Sequence, residues 1–341
     1  MTNREEDLLE TARHGDEAAF SQLIAPHRPA LHAHCYRMLG SVQDAEDALQ
    51  ETLLNAWRAL SRFEGRSSLK SWLYKIATNA CLKAIERRPR RVLPIDYGLA
   101  ADPHDPLAQP LVESVWLEPY PDRGIELEDR LASPDARYEQ RESIELAFVA
   151  ALQHISARQR AVLILRDVLG YSARETAQTL EMTPAAVDTA LQRAHKTVDE
   201  RLPERSQQAA LRALGDERLR EIVDGFVDAW ERADVDSIVA MLAHGATITM
   251  PPQPTWYRGR DAVAIFLRTV ALTAGTRWRL LPASANGQVA FGEYRWHETT
   301  GDFVAEAVTL LTIGDALVAD ITAFRSPELF AHFRLPARLQ P

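Results

Sequence analysis

Cysteine is nearly absent from this chain: two residues in 341. That excludes a disulfide framework and leaves Cys35 and Cys81 as reduced thiols. Long apolar runs are missing too. The densest, 147–152 and 161–165, are far short of the ~18 residues a membrane span requires. The first seven residues are acidic and lack an apolar core, so no secretory signal is expected. Aromatic residues make up only 7%, yet hydrophobic residues reach 46% and charged residues 26%. At ~100–200 residues per domain this predicts two or three domains with true cores in a cytoplasmic, membrane-free protein.

A net charge of −9 argues against nucleic-acid binding until its distribution is followed. Residues 92–139 carry −8 of it, together with seven of the 19 prolines, and show no apolar period. Such a stretch reads as an extended, non-helical linker. It separates a block at 1–91, with a charge of +2, from a neutral block at 140–203. A milder boundary lies near 203–215.

In the first block, 5–14 and 17–39 have helical apolar spacing and end at Gly15 and Gly40. The helix expected at 43–60 sets Ala45, Leu49, Leu53 and Trp57 on one face. Asp44, Asp47 and Glu51 stack as an acidic stripe on the other, with Gln50 and Arg58. A further helix, capped by Ser67 or Ser68, buries Leu69, Trp72, Leu73, Ile76, Ala77, Ala80 and Ala84. Its outer side is expected to present Lys70, Tyr74, Lys75, Thr78, Asn79 and Lys83. Basic, aromatic and amide groups interleaved in this way suit phosphate contacts and stacking on unpaired bases. Residues 83–91 hold five basic side chains and one acidic, more than a helix dipole needs.

Three helix starts follow one another in the second block. Ser156-x-x-Gln159 opens one through Arg166, Ser172-x-x-Glu175 opens one to Leu180, and Thr183-Pro184 opens the next. The short Glu181-Met182 connection makes the last two a helix-turn-helix, whose 184–197 helix would enter a major groove.

These residues carry a resemblance. Asp44-Ala-Glu-Asp-Ala-Leu-Gln-Glu51 through Trp57, Phe63, and Ser68-Leu-Lys-Ser-Trp-Leu-Tyr-Lys-Ile-Ala-Thr-Asn79 resemble region two of bacterial extracytoplasmic-function (group IV) sigma factors. Residues 140–203 resemble region four. The resemblance implies a non-enzymatic initiation factor that joins core RNA polymerase, at the clamp of its largest subunit and at its flap, and directs it to promoter DNA. By position, Asp44, Asp47, Gln50, Glu51 and Trp57 fall on the polymerase-docking surface. Arg62, Phe63, Ser67, Trp72 and Tyr74 fall in the melting element, and Asn79, Lys83, Arg87 and Arg88 where the minus-ten element is contacted. The 184–197 helix matches the minus-thirty-five reader. Asp188 and Ala190 stand where the family often has basic residues, so Thr183, Thr189, Gln192, Arg193 and Lys196 remain as its polar candidates. The linker matches the connector that threads through the polymerase.

About 135 residues follow. An amphipathic helix over 219–230 and a second one capped by Asp234 precede strands at 246–250, 277–282, 289–296, 303–313 and 317–324. A helix at 261–273 lies between the first two strands, and Gly314-Asp315 is a hairpin signal. The order is that of an α+β cone, so the whole reads as two all-α domains followed by this cone. With Met250-Pro251-Pro252, Tyr257-Arg258-Gly259-Arg260 and Asn286-Gly287 it resembles the SnoaL-like branch of the nuclear-transport-factor-2-like fold, over 216–336. Trp230, Trp256, Tyr257, His297 and Asp320 are candidate pocket residues, with Asp228 and Glu306 as further acids. No acid and base are paired by spacing, so a regulatory domain acting on the sigma regions in cis, or sensing a small ligand, is expected rather than catalysis. No cofactor is expected. His27, His32, His34 and Cys35 do not converge at metal spacing, since 32 and 34 point about 200° apart on a helix. Two rivals remain: a ligand-gated helix-turn-helix regulator acting without polymerase, and a SnoaL-type enzyme with a DNA-binding half.

Overall fold

The computed structural model describes residues 3–65, 67–111, 115–123 and 142–341. Parts of the expected linker and the first two residues of the second block lie outside them. The chain forms two compact units: residues 1–90, 123–144 and 148–201, and residues 91–122, 145–147 and 202–341.

The first unit is helical. It comprises α1 (Asn3–Arg13), α2 (Glu17–Ile24), α3 (Arg28–Leu39), α4 (Val42–Ala59) and α5 (Leu69–Glu86). Gly40 ends α3 in the left-handed region at φ 71°, and the next residue, Ser41, caps α4 by accepting the Asp44 N–H. Ser68 caps α5 through the Ser71 N–H. In the second unit, α6 (Pro94–Tyr97) is a single turn. The second helical block follows as α7 (Leu146–Leu152), α8 (Ala157–Leu163), α9 (Ala173–Leu180) and α10 (Pro184–Asp199). Both expected capping boxes form, Ser156 with Gln159 and Ser172 with Glu175. Thr183 accepts the Ala186 N–H with Pro184 at the first helical position. The turn between α9 and α10 is made by Glu181 in the left-handed region. Ala177, Val187, Ala194 and Val198 are buried between these helices, while Met182 and Leu191 are only half-buried.

The second unit is the α+β cone. It holds α11 (Gln207–Leu214), α12 (Asp216–Glu231), α13 (Val235–Met241) and α14 (Arg260–Phe266). Its strands are β1 (Leu242–Thr249), β2 (Trp256–Arg258), β3 (Trp278–Ala285), β4 (Gln288–His297), β5 (Asp302–Gly314), β6 (Leu317–Phe324) and β7 (Arg338–Leu339). They form one sheet in the order β2-β1-β6-β5-β4-β3, with β7 on β5; β1 and β6 run parallel and the other pairs antiparallel. Asn286-Gly287 turns β3 into β4 with both φ positive, as a two-residue hairpin requires. The next hairpin turns at Asp315-Ala316, one residue beyond the sequence signal, again with both φ positive. The inner face packs Phe226, Trp230, Phe266, Trp278, Phe291, Leu311 and Ile321 against the helices. The outer face buries Tyr294, Phe303, Leu310, Phe330 and Phe333 under the C-terminal segment, joined by Leu146.

Within the expected extended linker, residues 92–111 and 115–122 belong to the second unit. Trp256 Nε1 donates to the Gly98 carbonyl, the Ala101 N–H to Trp256 O, the Ala108 N–H to Thr255 Oγ1, and the Leu111 N–H to Pro252 O. Farther on, the Tyr120 N–H donates to Asn286 Oδ1 and Asp122 accepts the Gly287 N–H. Trp116, Leu117 and Tyr120 are buried. Apart from the single turn of α6, these described residues are not helical. These backbone groups and three apolar side chains find partners along the cone, which a charge count cannot foresee.

Candidate promoter and polymerase interfaces

On α4, Asp47, Gln50 and Glu51 are exposed, whereas Asp44 is buried and paired with Arg88. Arg88 also lies 3.7 Å from Asp47. One cation therefore joins the end of α5 to the acidic stripe and holds Asp44 inside the unit. Trp57 is half-buried, its ring 5.0 Å from that of Phe20. One turn beyond Glu51 stands Leu54, 52% exposed, at i+3 from Glu51 and i+7 from Asp47 on the same face. Sequence reasoning passed over it; the signal was a leucine lying off the apolar stripe.

The melting element is held more tightly than expected. Phe63 is buried, 4.9 Å from the half-buried Trp72 ring, with the Arg13 guanidinium 6.0 Å from its centroid. Tyr74 and Thr78, expected on the outer side of α5, are buried. The reason is that α5 packs on more than one side. Thr78 Oγ1 lies 2.9 Å from His34 Nε2 on α3, and the Tyr74 ring meets those of His34 at 5.2 Å and Tyr171 at 6.4 Å. Burial, aided by Arg37, pushes the His34 pKa down to about 3, so the imidazole is neutral. Arg62, Ser67, Asn79, Lys83 and Arg87 are exposed.

The second helical block packs on the first within this unit. Lys75 Nζ reaches the Gln178 carbonyl at 3.4 Å and Glu181 Oε1 at 3.5 Å. The buried Arg160 donates to the Met38 carbonyl and to Gln153 Oε1, and Arg37 donates to both oxygens of Ser143. Residues 74 and 75, on the expected DNA-facing side of α5, thus meet residues of the helix-turn-helix block. On α10 the arrangement differs. Thr183, Thr189, Gln192, Arg193 and Lys196 are all exposed, and Thr189, Arg193 and three alanines border a depression completed by Ser156 and Gln159.

The five candidate pocket residues of the cone do not converge. Trp230 and Tyr257 belong to the inner core, Trp256 holds residues 98 and 101, and His297 is exposed at the end of β4. Asp320 is adjacent to inward-facing Ile321 and therefore faces outward, accepting a hydrogen bond from Thr247 at 2.5 Å. Of the further acids, Glu306 pairs with Arg325 and Asp228 with Arg232. Among the described residues no cluster of His, Cys, Asp or Glu is placed to hold a metal, and no helix is long and apolar enough to cross a membrane.

Comparison with known proteins agrees with this geometry. Residues 23–91 match Sigma-70 region 2, residues 145–198 Sigma-70 region 4, and residues 223–321 the SnoaL-like domain. The chain is 40% identical over 331 residues to the ECF RNA polymerase sigma factor SigG of Mycobacterium tuberculosis, covering 96% of this chain and 86% of that protein. It is 28% identical to the RNA polymerase sigma-H factor of Pseudomonas aeruginosa over 59% of this chain and 96% of that one. The crystal structure of the M. tuberculosis extracytoplasmic function sigma factor SigJ has the same fold, with a TM-score of 0.58 over 93% of this chain and 99% of that one at 20% identity. Two helical sigma regions, an exposed helix-turn-helix and a C-terminal cone in one chain identify it as a member of the extracytoplasmic-function sigma factors, transcription initiation factors that direct RNA polymerase to promoters.

Proposed function

We propose that the acidic, leucine-bearing face of α4 (Asp47, Gln50, Glu51 and Leu54) docks on the clamp of core polymerase. Arg62, Ser67, Asn79, Lys83 and Arg87, with Trp72 once uncovered, hold the opened minus-ten strand. The exposed face of α10 sits at the minus-thirty-five element, with Arg193 and Lys196 on phosphates and Gln192 at a base edge. Region four engages the flap. The observation that carries the reading is the packing of Tyr74 and Lys75 against Tyr171, Gln178 and Glu181. It describes a resting form in which the second block shields part of α5, so polymerase binding has to separate the two blocks. Burying Arg160 and Arg37 with hydrogen-bonded partners makes that closed form specific.

The C-terminal domain acts in cis. Residues 98–111 and 120–122 are hydrogen-bonded to the cone, so the length of connector left to run between the sigma regions depends on that domain's grip. Reconstituted core polymerase on a promoter panel tests both statements, comparing the full chain with a chain ending at Pro203. Specific transcripts from the full chain, with output changed by the truncation, are expected. No binding to core polymerase would favour an operator-binding regulator instead.

A further inference from the structure

The first two turns of α10, the part of a recognition helix that meets base edges, offer few free hydrogen-bonding groups. Ala185 is exposed, and Ala186 and Ala190 are half-buried. Thr183 is committed to the cap, accepting the Ala186 N–H, and Thr189 donates its hydroxyl to the Ala185 carbonyl at 2.9 Å. Asp188 is the exception. It is the one charged residue between 184 and 191. It is exposed, and its carboxylate has no partner among the described residues. Successive residues of a helix turn by about 100°, so Asp188 and Gln192 stack within about 40° of each other on one edge. Asp199 lies on the same edge about three turns from Asp188, 3.9 Å from His195 Nδ1.

DNA is a polyanion, and the exposed cations farther along α10, Arg193 and Lys196, are the side chains its phosphates attract. A negative charge before them weakens that attraction for every sequence alike, unless a base supplies a donor. A carboxylate can only accept. The major groove offers two donors, the N4 amino group of cytosine and the N6 amino group of adenine. Adenine N6 is flanked by acceptors on both sides, its own N7 and the O4 of the paired thymine, and both repel a carboxylate. Cytosine N4 has an acceptor on one side only, the O6 of the paired guanine. The chemistry therefore selects cytosine. Gln192 stands about 6 Å farther along the helix axis, against about 3.4 Å for one base-pair step, so the two side chains reach bases close together in the sequence.

We propose that Asp188 is a specificity-determining residue, accepting a hydrogen bond from the N4 amino group of a cytosine within about two base pairs of the base at Gln192. The inference rests on the placement of α10 at the minus-thirty-five element. At this position the carboxylate lowers affinity for DNA in general and raises discrimination at one base pair. A basic residue there would do the reverse.

The test uses core polymerase reconstituted with the full chain on a promoter that yields a specific transcript, its upstream element varied to each base at each position. One position should favour cytosine by about five- to tenfold over the other bases. Asp188→Ala should level that position, leave the preferences at the others, and bind unrelated DNA severalfold more tightly at low salt. Asp188→Asn presents a donor beside an acceptor and should turn the preference at the same position from cytosine to adenine. Asp199→Ala removes a like charge from the same edge, outside the first two turns. It should raise general affinity and keep the cytosine preference, which separates reading from charge alone. Base preferences unchanged in Asp188→Ala, whatever happens to general affinity, overturn the proposal, as does equal levelling by Asp199→Ala. Those outcomes leave a promoter-specific chain and sink this inference alone, whereas a chain without a specific transcript from any promoter sinks the placement of α10 as well.

Discussion

The helical unit and the cone each bury an ionisable side chain, His34 and Glu293, whose pKa values are shifted in opposite senses. His34 sits between α3 and α5 with Thr78 as its partner, its pKa lowered from 6.5 to about 3. Glu293 sits on the inner sheet face beside Thr309, its pKa raised from 4.5 to about 7. Desolvation is the leading cause in both cases, and it acts against whichever form is charged. Burial near neutrality thus makes acid the hazard for the helical unit and alkali the hazard for the cone.

The largest expected effect breaks this comparison if it is absent. His34 folds with a pKa below its unfolded value, so its contribution is fully present above pH 6.5 and is lost as the pH falls toward 3, about 5 kcal/mol in all. Between pH 6.5 and 4.5 the helical unit should lose about 2 kcal/mol more than the same unit in His34→Gln. Urea denaturation followed by hydrogen exchange of α3 and α5 peptides resolves it; parallel slopes in the two proteins would remove His34 from the account. Glu293 is next. Its folded pKa lies above the unfolded one, so its contribution is whole below pH 4.5 and declines through about 7, a penalty of about 3 kcal/mol at pH 8. Glu293→Gln should therefore match the unaltered chain near pH 4.5 and exceed it in cone stability by about 2–3 kcal/mol at pH 8. Denaturation read from tryptophan fluorescence reports mainly on the cone unit, which holds Trp116, Trp230, Trp256, Trp278 and Trp296.

How far these features were legible in the sequence follows from their range. The second block was readable almost residue by residue, because capping boxes and Pro184 act within three or four positions. The long strands were readable from alternation, and the hairpins from Asn286-Gly287 and Gly314-Asp315. Strands β2 and β7, of three and two residues, are too short to show a period. Tyr74 and Thr78 were misplaced because their burial depends on His34 and Tyr171, about 40 and 100 positions away. Glu293 was overlooked because a glutamate reads as a solvent position. The available signal was that it continues the Val289 and Phe291 face of β4. The hold of the cone on residues 98–111 and 120–122 comes mostly from backbone groups, and those leave no trace in side-chain pattern.

Two smaller effects sharpen the comparison by separating structural charges from functional ones within the helical unit. Asp44 is buried while its partner Arg88 is about two-fifths exposed. Arg88→Ala should cost about 1–2 kcal/mol, less than a fully buried pair because solvent screens the guanidinium. The neighbouring Arg87→Ala should stay within about 0.5 kcal/mol of the unaltered chain and yet lose promoter-specific transcript. Equal destabilisation by the two would place both in the fold rather than on the DNA.

The smallest expected stability change belongs to Leu54, and its value lies in being small. The side chain is 52% exposed on α4, one turn beyond Glu51, so Leu54→Ala removes little packing and should move stability by less than about 0.5 kcal/mol. On a docking face, burial of the same side chain against a partner is worth about 1 kcal/mol or more, roughly a fivefold loss of affinity for core polymerase on truncation. Asp47→Asn should instead act mainly on the salt dependence of association, as a rim charge does. A Leu54→Ala chain that binds core polymerase unchanged would shift the docking surface off this face of α4. One that loses affinity while melting normally would make this leucine the apolar centre of the acidic stripe.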